Sequence, residues 1–348
     1  MTTTRRDAGG HGRATIRDIA ELAGVSVATV SRVINDRPDV APETRDAVLR
    51  HVRANHFTTN RSARALSGGR TGHIGLTMPM VRGDYFADIL AGAIEAAYEQ
   101  DMRVVLYTTL HEHDREVSVL EHLADGATDG SIITLPEEST NELAALQASG
   151  YPFVVADPRV PLGEDIPAVS AAHRAGAKAA TDHLLALGHR RIAHVAGRAG
   201  WAATVERIDG YHASLAAAGV QPSDDLMVEG NFEVSSGYVA GLKLLDLPTP
   251  PTAIFASNDN MAVGILRAAH ERGIVVPDQL SVVGFDDAVL APNVNPSLTT
   301  VRQPLAELGR TAISLLMRML DRQRVEALRV ELATKLVVRE STAPPFGH

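Results

Sequence analysis

The sequence predicts an all-α helix-turn-helix head followed by an α/β body of two parallel-sheet lobes. Three observations predict it. Two short helical patterns flank Gly24 within residues 15–35, the charge reverses between the two ends of the chain, and from residue 74 onward short β-branched runs alternate with helical stretches. In the first helix Ile16, Ile19, Ala20 and Ala23 recur at i, i+3, i+4 and i+7, so one face is apolar. Thr15 suits its N-cap, Gly24 stops it and permits a tight turn, and Ser26 is placed to accept from the first amides of the next helix. In that second helix Val30, Val33 and Ile34 face inward, which leaves Val27, Ala28, Thr29, Ser31, Arg32 and Asn35 at or near the surface. Small side chains there let the backbone approach base edges, Arg32 offers a fork for guanine, and the Thr29 or Ser31 hydroxyl suits a phosphate. Thr15, Ile16, Arg17 and Ser26 complete the contacts expected at duplex DNA. A third helix, roughly 42–56, has Pro42 in its first turn and packs through Val48, Leu49 and Val52.

A three-helix packing module without DNA would show the same apolar spacing. Charge favours DNA. Residues 1–70 carry a net charge of +5 in a chain whose total is −9, so residues 71–348 hold −14. A basic head on an acidic body is the distribution that phosphate neutralisation and counterion release require. The 45% hydrophobic content over 348 residues supports a large core and two or three domains. No apolar run approaches membrane-spanning length, and the polar, disorder-prone residues 1–13 lack the apolar core of a signal peptide, so the expected location is cytoplasmic with no membrane partner. The absence of cysteine removes disulfides and thiolate chemistry.

Followed by Asn60-Arg61-Ser62-Ala63-Arg64-Ala65-Leu66, these residues resemble, essentially end to end, the lactose-repressor/galactose-repressor (LacI/GalR) family of bacterial transcription regulators. The resemblance implies a head at 14–59 and a hinge helix and linker at 60–71, with Asn60 and Ala63 at the DNA and Leu66 as a minor-groove wedge. Such a wedge unstacks a base step at a few kcal/mol, offset by the protein surface that bent DNA then covers. The ordinary alternative for Leu66 is an apolar linker residue. Gly-rich residues 67–72 read as a flexible joint.

Strand candidates in the body are 74–78, 104–107, 132–135, 153–156, 192–196, 253–256 and 281–285, and their alternation with helices argues for βαβ units. The family resemblance implies a periplasmic-binding-protein-like body at 72–341, crossed three times between lobes. Lobe 1 is then about 72–170 plus 302–328, and lobe 2 about 171–301 plus 330–341. Ligands of open α/β sheets bind beyond the carboxyl ends of the strands, where Asn258 follows one strand candidate and Asp286 another. Arg207 aligns with a family arginine that contacts ligand. Fixed carboxylate and guanidinium groups suit vicinal hydroxyls, and Phe232, Trp201 and Tyr85 offer apolar or amphipathic faces to a sugar. Each has a plainer reading: Asn258 as a helix cap, Arg207 in an ion pair, Trp201 as a cover for the sheet edge. Where many relatives carry Asp-Asn, this chain has Ala172-His173, and His173 is either a ligand contact or a structural histidine.

No histidine shows metal-ligand spacing, and neither a metal nor a cofactor is expected. Phosphate-loop, nucleophile-elbow, zincin and dinucleotide motifs are absent from the sequence, and the adjacent Asp286 and Asp287 would point apart on extended backbone, so an enzyme is not expected. The reading is a homodimeric DNA-binding regulator, a repressor of operator DNA under a small sugar or related effector. A purine-like corepressor is the reserve reading, and a secreted sugar binder is disfavoured by the head. No heptad run follows Arg339, which argues against a coiled-coil tetramer.

Overall fold

The computed structural model describes residues 14–34, 37–55 and 70–345. Asn35, Asn60, Ala63 and Leu66 lie outside these. The chain divides into two compact units between Thr71 and Gly72.

In the first unit helices α1 (Ile16–Ala23), α2 (Val27–Ile34) and α3 (Pro42–Ala54) enclose a small core. Ile19, Ala20, Val30, Val33 and Val48 are its buried members, with Ile16, Ala23, Ile34, Leu49 and Val52 packed around them. Local chemistry sets the boundaries. Thr15 and Asp18 form a reciprocal capping box, with the Asp18 amide 3.3 Å from Thr15 Oγ1 and the Thr15 amide 2.7 Å from Asp18 Oδ2. Gly24 takes the left-handed conformation at φ 65° that closes α1. Ser26 Oγ accepts from the Thr29 amide at 3.1 Å and so caps α2, which opens one residue later than Ser26 itself.

The second unit is built on two six-stranded sheets. Its elements in order are β1 (His73–Met78), α4 (Asp84–Glu99), β2 (Arg103–Thr108), α5 (His113–His122), β3 (Gly130–Thr134), α6 (Thr140–Ala148), β4 (Phe153–Ala156), β5 (Ala168–Ala171), α7 (His173–Ala186), β6 (Ile192–Ala196), α8 (Ala202–Ala217), β7 (Met227–Glu229), α9 (Val234–Leu245), β8 (Ala253–Ala256), α10 (Asp259–Glu271), β9 (Ser281–Asp286), β10 (Thr299–Arg302), α11 (Leu305–Leu320), β11 (Arg329–Leu332) and β12 (Lys335–Val337). The first sheet runs β11-β5-β4-β3-β1-β2 and the second β12-β10-β9-β8-β6-β7. Strands β1, β3, β4, β6, β8 and β9 are buried almost throughout, as strands covered by helices on both faces must be.

The structure corrects two expectations. Residues 330–332, expected in the second lobe, belong to β11, which pairs with β5 in the first sheet. The last crossing therefore lies at 333–334. Also, β12 is antiparallel to β10, the one exception to parallel pairing in the two sheets. The cause is topological: β10 leads out of the second lobe toward α11 and β12 re-enters it, so the two strands run in opposite directions. The short strands β5, β7, β10, β11 and β12 escaped the sequence reading because three or four residues are too few to write a strand period.

Candidate functional site

On the head the two sets of candidate side chains have different fates. Val27 and Ala28 are exposed at the start of α2, as are Arg17 and Arg32, while Ile16, Thr29 and Ser31 are half-buried. The Thr15 hydroxyl is engaged in its capping box, and Ser26 Oγ lies 2.9 Å from Thr29 Oγ1, so these hydroxyls build the turn. Arg32 pairs with Asp39 at 3.4 Å, with 57% and 61% of the two side chains exposed. A pair this open is weak and salt-screened, which leaves the guanidinium competent for another partner.

In the body the carboxyl ends of both sheets converge on one cluster. Arg207, on α8, is 3% exposed. Its guanidinium carbon stands 3.9 Å from the centre of the Phe285 ring, and it donates to the Ser257 carbonyl and, at 3.2 Å, to His173 Nδ1. Asp286 ends β9 at φ 116°, a conformation that side chains other than glycine rarely adopt, and its Oδ1 accepts from Gln303 Nε2 at 2.7 Å. Burial pushes the Asp286 carboxyl up to about 6 against the pull of Arg207 and Gln303. Asp287 stands at φ 60° and not on the extended backbone the sequence reading assumed. It anchors Arg302 and Arg339, each at 2.6 Å.

Asn258 caps α10, accepting from the Met261 amide at 3.0 Å, while its Nδ2 donates to the Phe232 carbonyl at 3.0 Å. Its neighbour Asp259 is fully buried, and accepts from Thr300 Oγ1 at 2.5 Å and the Ala288 amide at 2.8 Å. Burial, then the proximity of Asp286, pushes the Asp259 carboxyl well above the usual range. A Cβ at Gly284 would lie 2.1 Å from Asp259 Oδ1, so only glycine leaves room for this carboxyl against β9.

Trp201 stands at the seam between the lobes. Its ring centre is 5.5 Å from that of Phe232, and the Arg159 guanidinium lies 4.4 Å from it on the first-lobe side. Tyr85, near the start of α4, donates to Asp157 Oδ2, and the other Asp157 oxygen lies 2.8 Å from His173 Nε2. Burial would raise Asp157, but His173, Tyr85 and Arg207 outweigh it and hold the carboxyl below its ordinary range. Burial and then Asp157 push the Tyr85 phenol well above its own. The structure thus brings Arg207, Asp286, Tyr85 and His173 into one network and sets Trp201 and Phe232 ring to ring. It adds Asp157, Gln303 and Arg159, which sequence reasoning missed, and Ser257 and Asp259, the neighbours of Asn258. Asp157 carried a usable signal, because it directly follows the strand candidate at 153–156.

Three buried polar atoms around this cluster find no protein partner: Arg207 Nε and Thr204 Oγ1 on α8, and Gln303 Oε1 in the segment that links β10 to α11. Buried polar groups in folded proteins are nearly always bonded, and these three are left with bonding capacity beside an arginine and a carboxylate.

The description "bacterial regulatory proteins, lacI family" fits residues 15–60, and "periplasmic binding protein-like domain" fits residues 181–342. A ribose operon repressor from Halalkalibacterium halodurans is 35% identical over 331 residues, covering 94% of this chain and 97% of its own. The chain belongs to the lacI family of bacterial regulatory proteins. Among solved structures, the lac repressor dimer bound to operator and the anti-inducer ONPF superposes with a TM-score of 0.84 at 29% identity, covering 95% of this lacI-family chain and 100% of that one. The transcriptional regulator CelR in complex with cellobiose gives a TM-score of 0.73 at 33% identity, covering 94% and 100%. Among the described residues, no helix of this family member is long and apolar enough to cross a membrane.

Proposed function

We propose that this chain is a homodimeric repressor whose two heads read the halves of a pseudo-palindromic operator, and whose operator affinity is set by a small sugar held between the lobes. The observation that carries the effector half is the trio of unbonded buried atoms, Arg207 Nε, Thr204 Oγ1 and Gln303 Oε1, the last from the residue that bonds Asp286. A polyhydroxylated ligand meets that demand, since each hydroxyl both donates and accepts. The operator half is supported by the capped turn into α2, the exposed Val27, Ala28 and Arg32, and the basic balance of residues 1–70. In this reading each head alone grips DNA weakly, and pairing two heads supplies affinity through effective concentration. Leu66 is the wedge of this reading, and the body binds its sugar unchanged, without turnover.

Ligand and DNA need only prefer different states of the dimer for the switch to work. The relatives named for ribose and cellobiose put pentoses and disaccharides first among candidates. The test is an anisotropy titration of labelled genomic fragments against random duplex, repeated with ribose, cellobiose and further neutral sugars. At least one fragment is expected to bind about 10³-fold more tightly than random duplex, and at least one sugar to shift that binding. Equal affinity for all duplexes, with and without sugars, overturns the reading.

A further inference from the structure

Asp157 belongs to the first lobe and is 4% exposed, whereas His173 opens α7 in the second and is 2% exposed. His173 Nε2 lies 2.8 Å from Asp157 Oδ1 and its Nδ1 lies 3.2 Å from Arg207 Nη2. A guanidinium only donates, so Nδ1 is the acceptor and the Nε2 proton points at Asp157, which fixes a single tautomer. Tyr85 donates to the second oxygen of Asp157, and Arg207 donates onward to the Ser257 carbonyl. A continuous line of hydrogen bonds, made wholly of protein atoms, therefore runs from α4 and β4 in one lobe through α7 and α8 to the end of β8 in the other. Two more bonds join the same seam. The Ala202 amide donates to the Arg159 carbonyl at 2.7 Å, and the Val289 amide to Asp84 Oδ2 at 3.0 Å.

We propose that His173 is the positioning residue of a built-in strap, which ties the two lobes together ahead of any effector so that closure is a resting property of this chain. The imidazole is suited to this because its donor and acceptor sit on opposite edges of one rigid ring, and each faces a charged group on a different element. Hydrogen bonds to charged groups in a water-excluded site are stronger than neutral ones. An effector then does not have to draw the lobes together, and it works by rearranging a seam that is already made.

Hydrogen–deuterium exchange of the full-length protein, without DNA or sugar, tests this. Opening of the seam exposes the Ala202 and Val289 amides, whereas loss of the fold exposes the β8 amides at residues 253–256 as well. In His173→Ala the seam peptides are expected to exchange at least tenfold faster while the β8 peptide keeps its wild-type rate. His173→Gln, which retains one donor and one acceptor, is expected to recover most of the protection. Should His173→Ala fail to fold, Asp157→Asn, which keeps the shape but weakens the pairing, is read in the same way. Unchanged seam exchange, or seam and β8 peptides accelerating together, overturns the proposal. Because neither DNA nor effector enters the measurement, its outcome is independent of the functional reading above.

Discussion

The head and the body solve opposite problems with their functional side chains. In the head the described candidate contacts lie between Thr15 and Arg32, exposed or half-buried on two short helices, and among the described residues five buried side chains form the core beneath them. In the body Tyr85, Asp157, His173, Arg207, Asp286 and Gln303 come from six separate segments and meet in the interior, where each polar group takes its bonds from another. Exposed sites are cheap to build and are read from local sequence. Buried sites require the whole chain.

The comparison breaks most sharply at Arg207. Replacing it with Ala removes a guanidinium that balances Asp157 and Asp286, and stranding buried charge costs about 3–5 kcal/mol. Arg207→Ala is therefore expected to abolish any sugar response and to lower the melting temperature of the body, while operator binding at a permissive temperature stays within about twofold of wild type, as expected for independent sites. A normal sugar dose response in this variant would show that the cluster is structural only.

A second buried group sharpens the contrast through pH. Glu116 is 1% exposed and Glu138 is 3% exposed, and the Glu137 amide donates to Glu116 Oε2 at 2.8 Å, while neither Glu138 oxygen has a protein partner of ordinary hydrogen-bond geometry. Burial, then the adjoining Glu116, pushes the Glu138 carboxyl up to about 9, and burial raises Glu116 to about 6. The folded body holds the Glu138 proton that the unfolded chain releases. Its contribution is complete at low pH and declines as pH rises from about 5 to about 9. Glu138→Gln should raise the melting temperature by a few degrees at pH 8 and flatten its fall across that window. A parallel downward shift at every pH would mean that the carboxyl is ionised in the fold.

How much of this was legible follows the same division. Ile16, Ile19, Ala20 and Ala23 write the period of a helix directly, and Thr15, Gly24 and Ser26 write its ends, so the head could be read residue by residue. In the body the seven strand candidates lie on the observed strands because a buried parallel strand is a run of Val, Ile and Phe. The edge strands β11 and β12 carry polar residues, and their sheet membership is decided by a crossing that no local pattern records. The buried cluster was partly visible, since Asp286 directly follows one strand candidate and Asn258 stands two residues past another. Gln303 and Arg159 were invisible, because their roles depend on partners 17 and 22 residues distant or on the far side of the seam.

On the head, Arg32 and its partner Asp39 are both more than half exposed. Arg32→Ala is therefore expected to leave stability nearly unchanged and to cost about 1–3 kcal/mol of operator discrimination. Competition of the preferred fragment against random duplex at several salt concentrations separates the two roles. Loss of discrimination at constant salt slope marks a base contact, and loss of about one unit of slope at constant discrimination marks a phosphate contact.

The smallest effect is expected at Ser26. Its hydroxyl satisfies the Thr29 amide at 3.1 Å and meets Thr29 Oγ1 at 2.9 Å, both on an exposed surface. Removing an N-cap of this kind costs about 1 kcal/mol of helix stability, and against a small core, five buried side chains among the described residues, that fraction is large. Ser26→Ala should lower the melting temperature of the head transition and leave that of the body unchanged, since its lost bonds are internal to the head. Operator affinity should fall in proportion to the head unfolded, and should be restored by cooling. Ser26→Asp, which keeps an acceptor at the helix start, should recover the stability but add negative charge where phosphate is proposed to approach. If Ser26→Asp restores stability and operator affinity together, the start of α2 does not lie against the DNA backbone, and the exposed face of the head must be used in a different orientation.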